Sequence, residues 1–375
     1  MPQNPPGSRI RIAFPVFACA LIAGWFFSGC DSNQPDVAVV DSGEPTLERI
    51  SPLDIFPASL SEYGLYEGPA ANLTPASGVI EYQLNTPLFS DYSSKQRLIK
   101  LPDGTAATYT SSGPLDFPVG TVIAKTFYYP EDLSDSGSTR DLIETRILEL
   151  TGDGWVGVSY VWNEEHTDAE ISIAGETTTV SWTHQDGELR DTNYVVPNLN
   201  DCKRCHTPDL TMQPIGPRAY NLNREIETES GGENQLVQWS NSGILKGMPG
   251  VDEIPTLAVW DDESFTLNER ARAYLDVNCA HCHNPEGPAR SSGLHLNVEE
   301  TEPYHLGTFK TPVAAGQGTG GRLYGIVPGK PDESILEHRM RTTKPGEIMP
   351  EFGKSLVHEE GLELIRQWIM AMEED

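Results

Sequence analysis

The sequence contains the pattern Cys-x-x-Cys-His twice, and this pair of motifs restricts the fold more than any other feature. The first copy, CKRCH, occupies residues 202–206, and the second, CAHCH, occupies residues 279–283. A two-residue spacer places both sulfurs along one edge of a haem, where they bond to its two vinyl groups, and the adjacent histidine then lies under the iron. Each motif therefore predicts one covalently bound haem c. The predicted haem-binding residues are Cys202, Cys205, His206, Cys279, Cys282 and His283, with the two histidines as proximal iron ligands.

Two other uses of the same four thiols fit the sequence less well. A zinc ribbon needs its two Cys-x-x-Cys pairs much closer together than Cys205 and Cys279 are. A thioredoxin-like redox pair needs a strand-to-helix setting in a βαβ unit, and it leaves the histidine after each motif unexplained. The remaining two of the six cysteines lie near the N-terminus, so no cysteine is left for a structural disulfide.

The N-terminal residues have the layout of an exported lipoprotein. An apolar run at 12–27 follows two arginines, which is typical of a signal peptide, and the run is short for a transmembrane helix. It ends in Phe-Ser-Gly before Cys30, which resembles the lipobox of bacterial lipoproteins. We therefore predict a signal peptide at 1–29, lipidation of Cys30 and a polar tether at 30–50. The resemblance implies retention at the inner membrane, facing the periplasm.

The chain is strongly acidic, with 55 acidic against 26 basic side chains and a formal net charge of −29. Such a field repels the phosphate backbone, which excludes nucleic acid as a partner. The same charge would steer a basic redox partner toward the surface, or it serves only to keep the protein soluble.

Residues 51–199 have the composition of several short strands at close spacing. The sequence TGDG at 151–154 is a turn signal, and partial alternation of apolar and polar residues follows it. This pattern favours an antiparallel, sandwich-like β domain. The predicted strands are 120–129, 142–150, 155–162, 171–173 and 177–182.

The second motif lies in a helical setting. Thr266 and Glu269 form a capping-box pattern, so we expect a helix from there to about residue 278, directly before the motif. An amphipathic pattern at 358–372 predicts a final helix. The order of helix, motif, loop, methionine and amphipathic helix is that of a small cytochrome c domain.

These patterns predict an α+β, multidomain fold, in which a β-rich N-terminal domain precedes a mostly α-helical dihaem cytochrome c region. The predicted domains are the β-rich domain at 51–199, a first haem segment at 200–262 and a cytochrome c domain with the second haem at 263–375. The first motif departs from the usual arrangement, because the residues before it, 194–200, look extended.

The sixth iron ligand decides what each haem does, because methionine raises the potential for electron transfer and an open position permits ligand chemistry. Met349 lies in a Met-Pro pair before the last helix and is the predicted ligand of the second haem. Met248, which also precedes a proline, is the first candidate for the first haem. The alternatives for that haem are Met212, a histidine of the β domain such as His166 or His184, or no ligand.

Much of the chain from residue 84 onward also matches a known pattern. The matching stretches are LNTPLFSDY at 84–92, FPVGTVIAKTF at 117–127, IETR at 143–146, GWVG at 154–157, YVWN at 160–163, TDA at 167–169, PIGP at 214–217, LNR at 222–224 and VPGKPDES at 327–334. With these stretches the chain resembles a family of bacterial dihaem c-type cytochromes, many of them lipoproteins. A similar module is appended to some quinoprotein sugar dehydrogenases of the glucose/sorbosone type.

The resemblance implies one-electron transfer in the periplasm, from a separate dehydrogenase to a downstream cytochrome or oxidase. An electron-transfer protein is therefore favoured over a catalyst. The alternative is a dihaem peroxidase-like enzyme, which pairs a methionine-ligated haem with an open, reactive first haem. A third hypothesis is a binding module whose β domain recognises a carbohydrate or a protein partner.

Overall fold

A computed structural model describes residues 55–207, 211–228 and 231–373 of the chain. Residues 50–375 form one compact unit. The predicted signal peptide, the lipidation site at Cys30 and the tether lie outside the described residues. None of the described helices has the length and apolar character needed to cross a membrane.

The centre of the structure is an antiparallel sheet. The described strands are β1 (Val79–Glu81), β2 (Ser94–Lys100), β3 (Ala107–Thr108), β4 (Val122–Pro130), β5 (Arg140–Thr151), β6 (Gly154–Trp162), β7 (Ala169–Ser172), β8 (Glu176–Thr183), β9 (Leu189–Val196), β10 (Glu225–Thr228), β11 (Gly231–Asn234) and β12 (Leu245–Lys246). Six of them form one sheet in the order β1-β2-β4-β5-β6-β7. Strands β8 and β9 form an antiparallel hairpin, β10 pairs with β11, and β12 runs parallel to β3.

The two faces of the sheet are covered by different parts of the chain. On one face, Leu98 and Ala124 are opposite each other and pack against residues 56–73. On the other face, Ile99 and Ile123 are opposite each other and pack against segments that follow the sheet in sequence. Because side chains alternate along a strand, this second face also carries the residues two positions further along each strand.

The β8–β9 hairpin covers one end of that second face. Trp182 of β8 is 1% exposed and packs against Tyr129 of β4, with ring centroids 5.1 Å apart. Tyr194 of β9 contacts Phe127 and Tyr129 in the same cluster. The middle of the face lies between the hairpin and the cluster around Ile99 and borders a cavity described below.

The helices that follow the sheet are short. The α-helices are α1 (Leu199–His206), α2 (Ala219–Leu222), α3 (Gln235–Asn241), α4 (Leu267–Leu275), α5 (Pro303–Leu306), α6 (Ile335–Arg341) and α7 (Glu359–Met370). A π-helical turn, Asp276–Ala280, continues α4. The 3₁₀ turns are Leu60–Tyr63, Ala70–Asn72, Val251–Glu253, Arg290–Ser292, Gly316–Thr319 and Pro331–Glu333.

The prediction of a mostly α-helical dihaem region is wrong. From residue 199 onward, the described α-helices are only 4 to 12 residues long, and loops, turns and short strands separate them. The described structure is instead β-rich and organised around its six-stranded antiparallel sheet. Glycine and proline explain much of the difference, because both disfavour helix interiors and recur between the motif at 279–283 and α6.

The local predictions agree better with the structure. The five predicted strands correspond to β4 through β8, and the final helix corresponds to α7. The capping box is also confirmed, because Glu269 N donates to Thr266 Oγ1 at 3.3 Å and Thr266 N donates to Glu269 Oε2 at 2.9 Å. The extended approach to the first motif is only partly right, since β9 ends at Val196 and α1 begins at Leu199.

Residues 85–91, which we name the strap, tie the sheet to the second motif. Thr86 N donates to Asn221 Oδ1 at 2.9 Å, and Asn221 Nδ2 donates back to Thr86 O at 3.0 Å. Phe89 N donates to Asn278 Oδ1 at 2.9 Å, one residue before the second motif. Parts of the chain that are far apart in sequence therefore meet at the strap.

Asp91, the last residue of the strap, holds the segment that follows Met349. The side chain is buried, and its two oxygens accept from Ser355 N at 2.9 Å. One oxygen also accepts from Ser355 Oγ at 2.8 Å and the other from Leu356 N at 2.8 Å. One carboxylate thus satisfies three donors of a segment 264 residues away.

Replacing Asp91 with alanine should lower the free energy of unfolding by about 3 kcal/mol, because each buried donor left unsatisfied costs about 1–3 kcal/mol. Asp91→Asn is the matched control, since it keeps an acceptor oxygen and tolerates the positive φ of 49° at this position. Chemical denaturation measures both variants. Equal midpoints for Asp91→Ala and the parent chain would contradict this role.

Candidate functional site

Two neighbouring cavities, each of about 420 Å³, carry the two Cys-x-x-Cys-His motifs. The first cavity contains the motif at 202–206, and the second contains the motif at 279–283. Cys205, His281 and Phe89 line both cavities, so the motifs share the wall between them. Cavities of this size fall within the range of ligand and cofactor sites.

Helix α1 carries the first motif and ends with its histidine. Asn198 caps this helix, because its side-chain oxygen accepts from Asn200 N at 2.9 Å and from Asp201 N at 3.2 Å. Asp201 Oδ2 accepts from Asn198 N at 3.2 Å, which completes a capping box. The cap therefore fixes where the helix starts and how the motif enters the first cavity.

The second motif begins inside the π-helical turn that continues α4. Within this turn, Asp276 Oδ2 accepts from Tyr220 Oη at 2.8 Å and Oδ1 accepts from Val298 N at 3.0 Å. Burial raises the pKa of Asp276 above its usual value. Asn278 bonds both to Tyr274 O and to the strap. Single π turns inside helices often mark functional sites.

Both motif histidines are held in one tautomer by their neighbours. His206 Nδ1 lies 2.9 Å from Gln213 O, a carbonyl that can only accept, so Nδ1 must donate. His283 Nδ1 lies 3.0 Å from Ser292 Oγ, whose own proton goes to Ala289 O at 2.7 Å. Nδ1 of His283 is therefore a donor as well. Each imidazole keeps its Nε2 lone pair, which is how metal-ligating histidines are usually oriented.

Burial also keeps these two imidazoles neutral. It lowers the pKa of His206 to about 4 and the pKa of His283 to about 4. A neutral imidazole is the form that binds a metal. Among the described residues, no hydrogen bond is made to Nε2 of either histidine. The two nitrogens are thus available for coordination.

The second cysteines of the two motifs meet. Interaction between their thiols raises the pKa of Cys282 and lowers that of Cys205. Burial raises the pKa of Cys202, and it raises the pKa of Cys279 to about 12. Among the described residues, none of the four motif cysteines forms a disulfide.

The four thiols do not converge on one point as a zinc site requires. In the described part of the chain, the one group of three or more Cys, His, Asp or Glu ligands close enough to share a metal is His295, Glu300 and His305. A structural zinc site brings four ligands around one ion. The geometry therefore disfavours the zinc alternative for the motif cysteines.

The structure brings the predicted Met349 into the second cavity together with His283. Its backbone is fixed there, because Met349 N donates to Arg339 O of α6 at 2.9 Å. A second methionine, Met340, also lines this cavity, but it is 6% exposed and belongs to the hydrophobic core formed with α4 and α7.

The candidates for the first haem's sixth ligand lie elsewhere. Met248 packs at the edge of the cluster around Ile99, and Met212 packs over Gly157 of β6. His184 accepts from Trp182 Nε1 at 3.4 Å, and His166 pairs with Asp141 at 3.2 Å. None of these four candidates is among the residues that line the first cavity.

His281 is one of the two spacer residues between the cysteines of the second motif. The structure places its imidazole in the wall that both cavities share. Its Nδ1 is buried and has no hydrogen-bond partner. Besides His206, it is the one histidine among the described residues lining the first cavity. His281 directly follows the π turn, which ends at Ala280, and no local sequence pattern indicates that it lines the cavity of the other motif.

A row of basic residues that no local sequence pattern indicates lies under the first cavity. Arg97, Lys125 and Arg146 are directly opposite one another on β2, β4 and β5, and all three line the cavity. Arg146 pairs with the fully buried Glu144. Within the described residues, neither Arg97 nor Lys125 has an ion pair, and burial lowers the pKa of both groups. Like charges directly opposite each other in a sheet are destabilising, so an anion bound beside this row would stabilise the fold.

Positive side chains line the second cavity as well. They are Arg204, Lys310, Arg339 and Lys354. In a chain with net charge −29, the second cavity is thus a basic region.

No family model matches the chain, and neither the curated proteins nor the solved structures include a significant match to it.

Proposed function

We propose that this protein is a dihaem c-type cytochrome that transfers single electrons. The orientation of His206 and His283 is the main support for this proposal. Each histidine lies beside a Cys-x-x-Cys pair in a cavity, and its Nδ1 proton is donated to a neighbouring oxygen. A zinc ribbon or a redox dithiol gives no reason for two histidines held in this way. A haem bound in each cavity would supply a one-electron iron couple.

The fit of the residues to haem extends to its carboxylates. Haem carries two anionic propionate groups, and Arg97 and Lys125 line the first cavity without an ion pair among the described residues. A propionate beside them would favour their charged forms, which burial disfavours. Charge-assisted bonds to carboxylates are among the stronger polar contacts in proteins. In this proposal, a propionate of the first haem is the anion that offsets the repulsion within the row of Arg97, Lys125 and Arg146. Lys310 and Arg339 would have the same role in the second cavity.

The contact between Cys205 and Cys282 supports a relay from one haem to the other. These two sulfurs would carry the thioether bonds of different haems, so the attached edges of the two groups would lie close together. His281, which lines both cavities, lies in the same wall. The protein would hold the two groups beside each other and shield them from water on their buried sides.

Partners and location follow as parts of the same proposal. A separate dehydrogenase would reduce the protein, and a downstream cytochrome or oxidase would accept its electrons. The acidic surface would favour partners with basic docking faces. A lipid on Cys30 would anchor the chain to the periplasmic side of the inner membrane.

A pyridine haemochrome assay combined with a redox titration tests the proposal. We expect two covalently bound haems per chain, which titrate as two one-electron steps. The protein should be produced in a host that attaches haem c. A chain that carries no covalent haem, or that contains zinc in its place, would overturn the proposal.

One observation favours a second candidate, a dihaem peroxidase-like enzyme. No methionine is among the described residues that line the first cavity. The first haem would then have either an open sixth position or His281 as its ligand, and an open position permits reaction with peroxide. The spin state of the first haem separates the two functions.

Replacing His281 with alanine should convert the first haem from low spin to high spin, if the protein is a relay. The reason is that an imidazole whose buried Nδ1 has no hydrogen-bond partner would be lost from the cavity. Electron paramagnetic resonance and cyanide binding measure the change, and His305→Ala provides a control at a histidine outside both cavities. A first haem that is already high spin in the parent chain would instead favour the peroxidase-like function.

A further inference from the structure

Outside the two cavities, two histidines converge on one carboxylate oxygen. His295 Nδ1 lies 3.3 Å from Glu300 Oε2, and His305 Nδ1 lies 3.1 Å from the same atom. All three ligand atoms lie within 4.8 Å of one another. The imidazole ring centroids are 4.4 Å apart. We name these three residues the triad.

The backbone fixes the triad in place. The other oxygen of Glu300, Oε1, accepts from Thr301 N at 2.9 Å and from Glu302 N at 2.9 Å. Oε2 is therefore turned toward the two imidazoles. His295 N donates to His305 O at 3.0 Å, which holds the two histidines side by side. These contacts do not depend on a bound ion, so the arrangement is organised in advance.

The distances match those expected around a tetrahedral metal ion. Zinc binds histidine nitrogen and carboxylate oxygen at about 2.0–2.2 Å, so two ligands at a tetrahedral angle are about 3.3–3.5 Å apart. The two contacts with Glu300 Oε2 are within a few tenths of an ångström of that separation. Two imidazoles and one carboxylate are a common donor set for divalent transition metals.

We propose that His295, Glu300 and His305 form a binding site for a divalent transition-metal ion of the zinc class. The three side chains supply three ligands, and water fills the remaining position. The side chains are 21%, 19% and 42% exposed, so an ion reaches them from solvent. Glu299 and Glu302 add negative charge nearby.

The proposed ion would also stiffen the chain beside the second motif. Leu296, which follows His295, donates its N–H to His283 O at 2.9 Å. Val298 N donates to Asp276 Oδ1 at 3.0 Å in the π turn. An ion that joins His295 to His305 would close the loop between them while these two bonds hold it against the motif. The site does not depend on what the two cavities bind.

Titration of the full-length protein with Zn²⁺ alone tests this proposal by calorimetry, after removal of bound metal with a chelator. We expect one zinc ion per chain that is lost in His295→Ala/His305→Ala. Glu300→Gln should weaken binding by at least about tenfold, since it removes the anionic ligand. Because these variants leave all four motif cysteines in place, any zinc bound by thiols is common to every sample.

His166→Ala is the matched control, because His166 also contacts a carboxylate, Asp141 at 3.2 Å, but has no second imidazole in the group. It should bind zinc as the parent chain does. Zinc should also raise the melting temperature of the parent chain by a few degrees and leave that of the double variant unchanged. If the parent chain and the double variant bind zinc equally, the triad is a hydrogen-bonded group that binds no metal, and the proposal is wrong.

Discussion

A chain in which Cys279 and Cys282 are both replaced by alanine should carry one covalently bound haem instead of two. Each thioether bond consumes one thiol, and both thiols of this motif lie in the second cavity. The haemochrome absorbance per chain should therefore fall by half. Alanine is small enough for these positions, so the sheet and its packing should persist.

The matched variant is Cys202→Ala/Cys205→Ala, which should lose the other haem. The two half-loaded proteins are expected to differ in their spectra, because Met349 lies only in the second cavity. A variant that lacks all four thiols should have no covalent haem. If that variant keeps the haem content of the parent chain, the motifs are not the attachment sites and the proposed function is wrong.

The elements that sequence analysis predicted correctly are those with strong local signals. Strand β4 has a long apolar run, and the capping box of Thr266 and Glu269 marks the start of α4. Helix α1 was missed, because LNDCKRCH has no apolar stripe and follows Pro197. The signal that would have revealed it is the Asn198–Asp201 capping box, which resembles the one at α4.

The larger error concerned the region after residue 199. The arrangement around the second motif resembles a small cytochrome c domain, and this suggested that its neighbourhood is mostly helical. The structure supports the motif mainly with tertiary contacts instead, among them the bond from the strap to Asn278. Contacts of this kind join residues far apart in sequence, so no local pattern predicts them.

Several residues of the candidate site could be predicted from the sequence, but their arrangement in space could not. The motif histidines and Met349 could be named from spacing. The meeting of Cys205 with Cys282 could not, because it depends on how two distant segments pack. The row of Arg97, Lys125 and Arg146 was equally hidden, since it exists only once the register of three strands is known.

Replacing Met349 with leucine should lower the reduction potential of one haem by a few tenths of a volt, because thioether ligation raises haem potentials and axial ligands span about 0.8 V. The methionine-to-iron charge-transfer band should disappear at the same time. Leucine keeps the apolar volume of the side chain, so packing against the cavity wall should change little. Redox titration and absorption spectroscopy measure both effects.

The matched control is Met340→Leu, since both methionines line the second cavity. Met340 is part of the buried core with Leu364 and Ile365, whereas Met349 is only partly buried and follows the core residue Ile348. A core methionine contributes packing, and leucine replaces packing well. Met340→Leu should therefore keep the band and most of the potential. If Met340→Leu loses the band and Met349→Leu keeps it, the two methionines exchange roles and the ligand lies on α6.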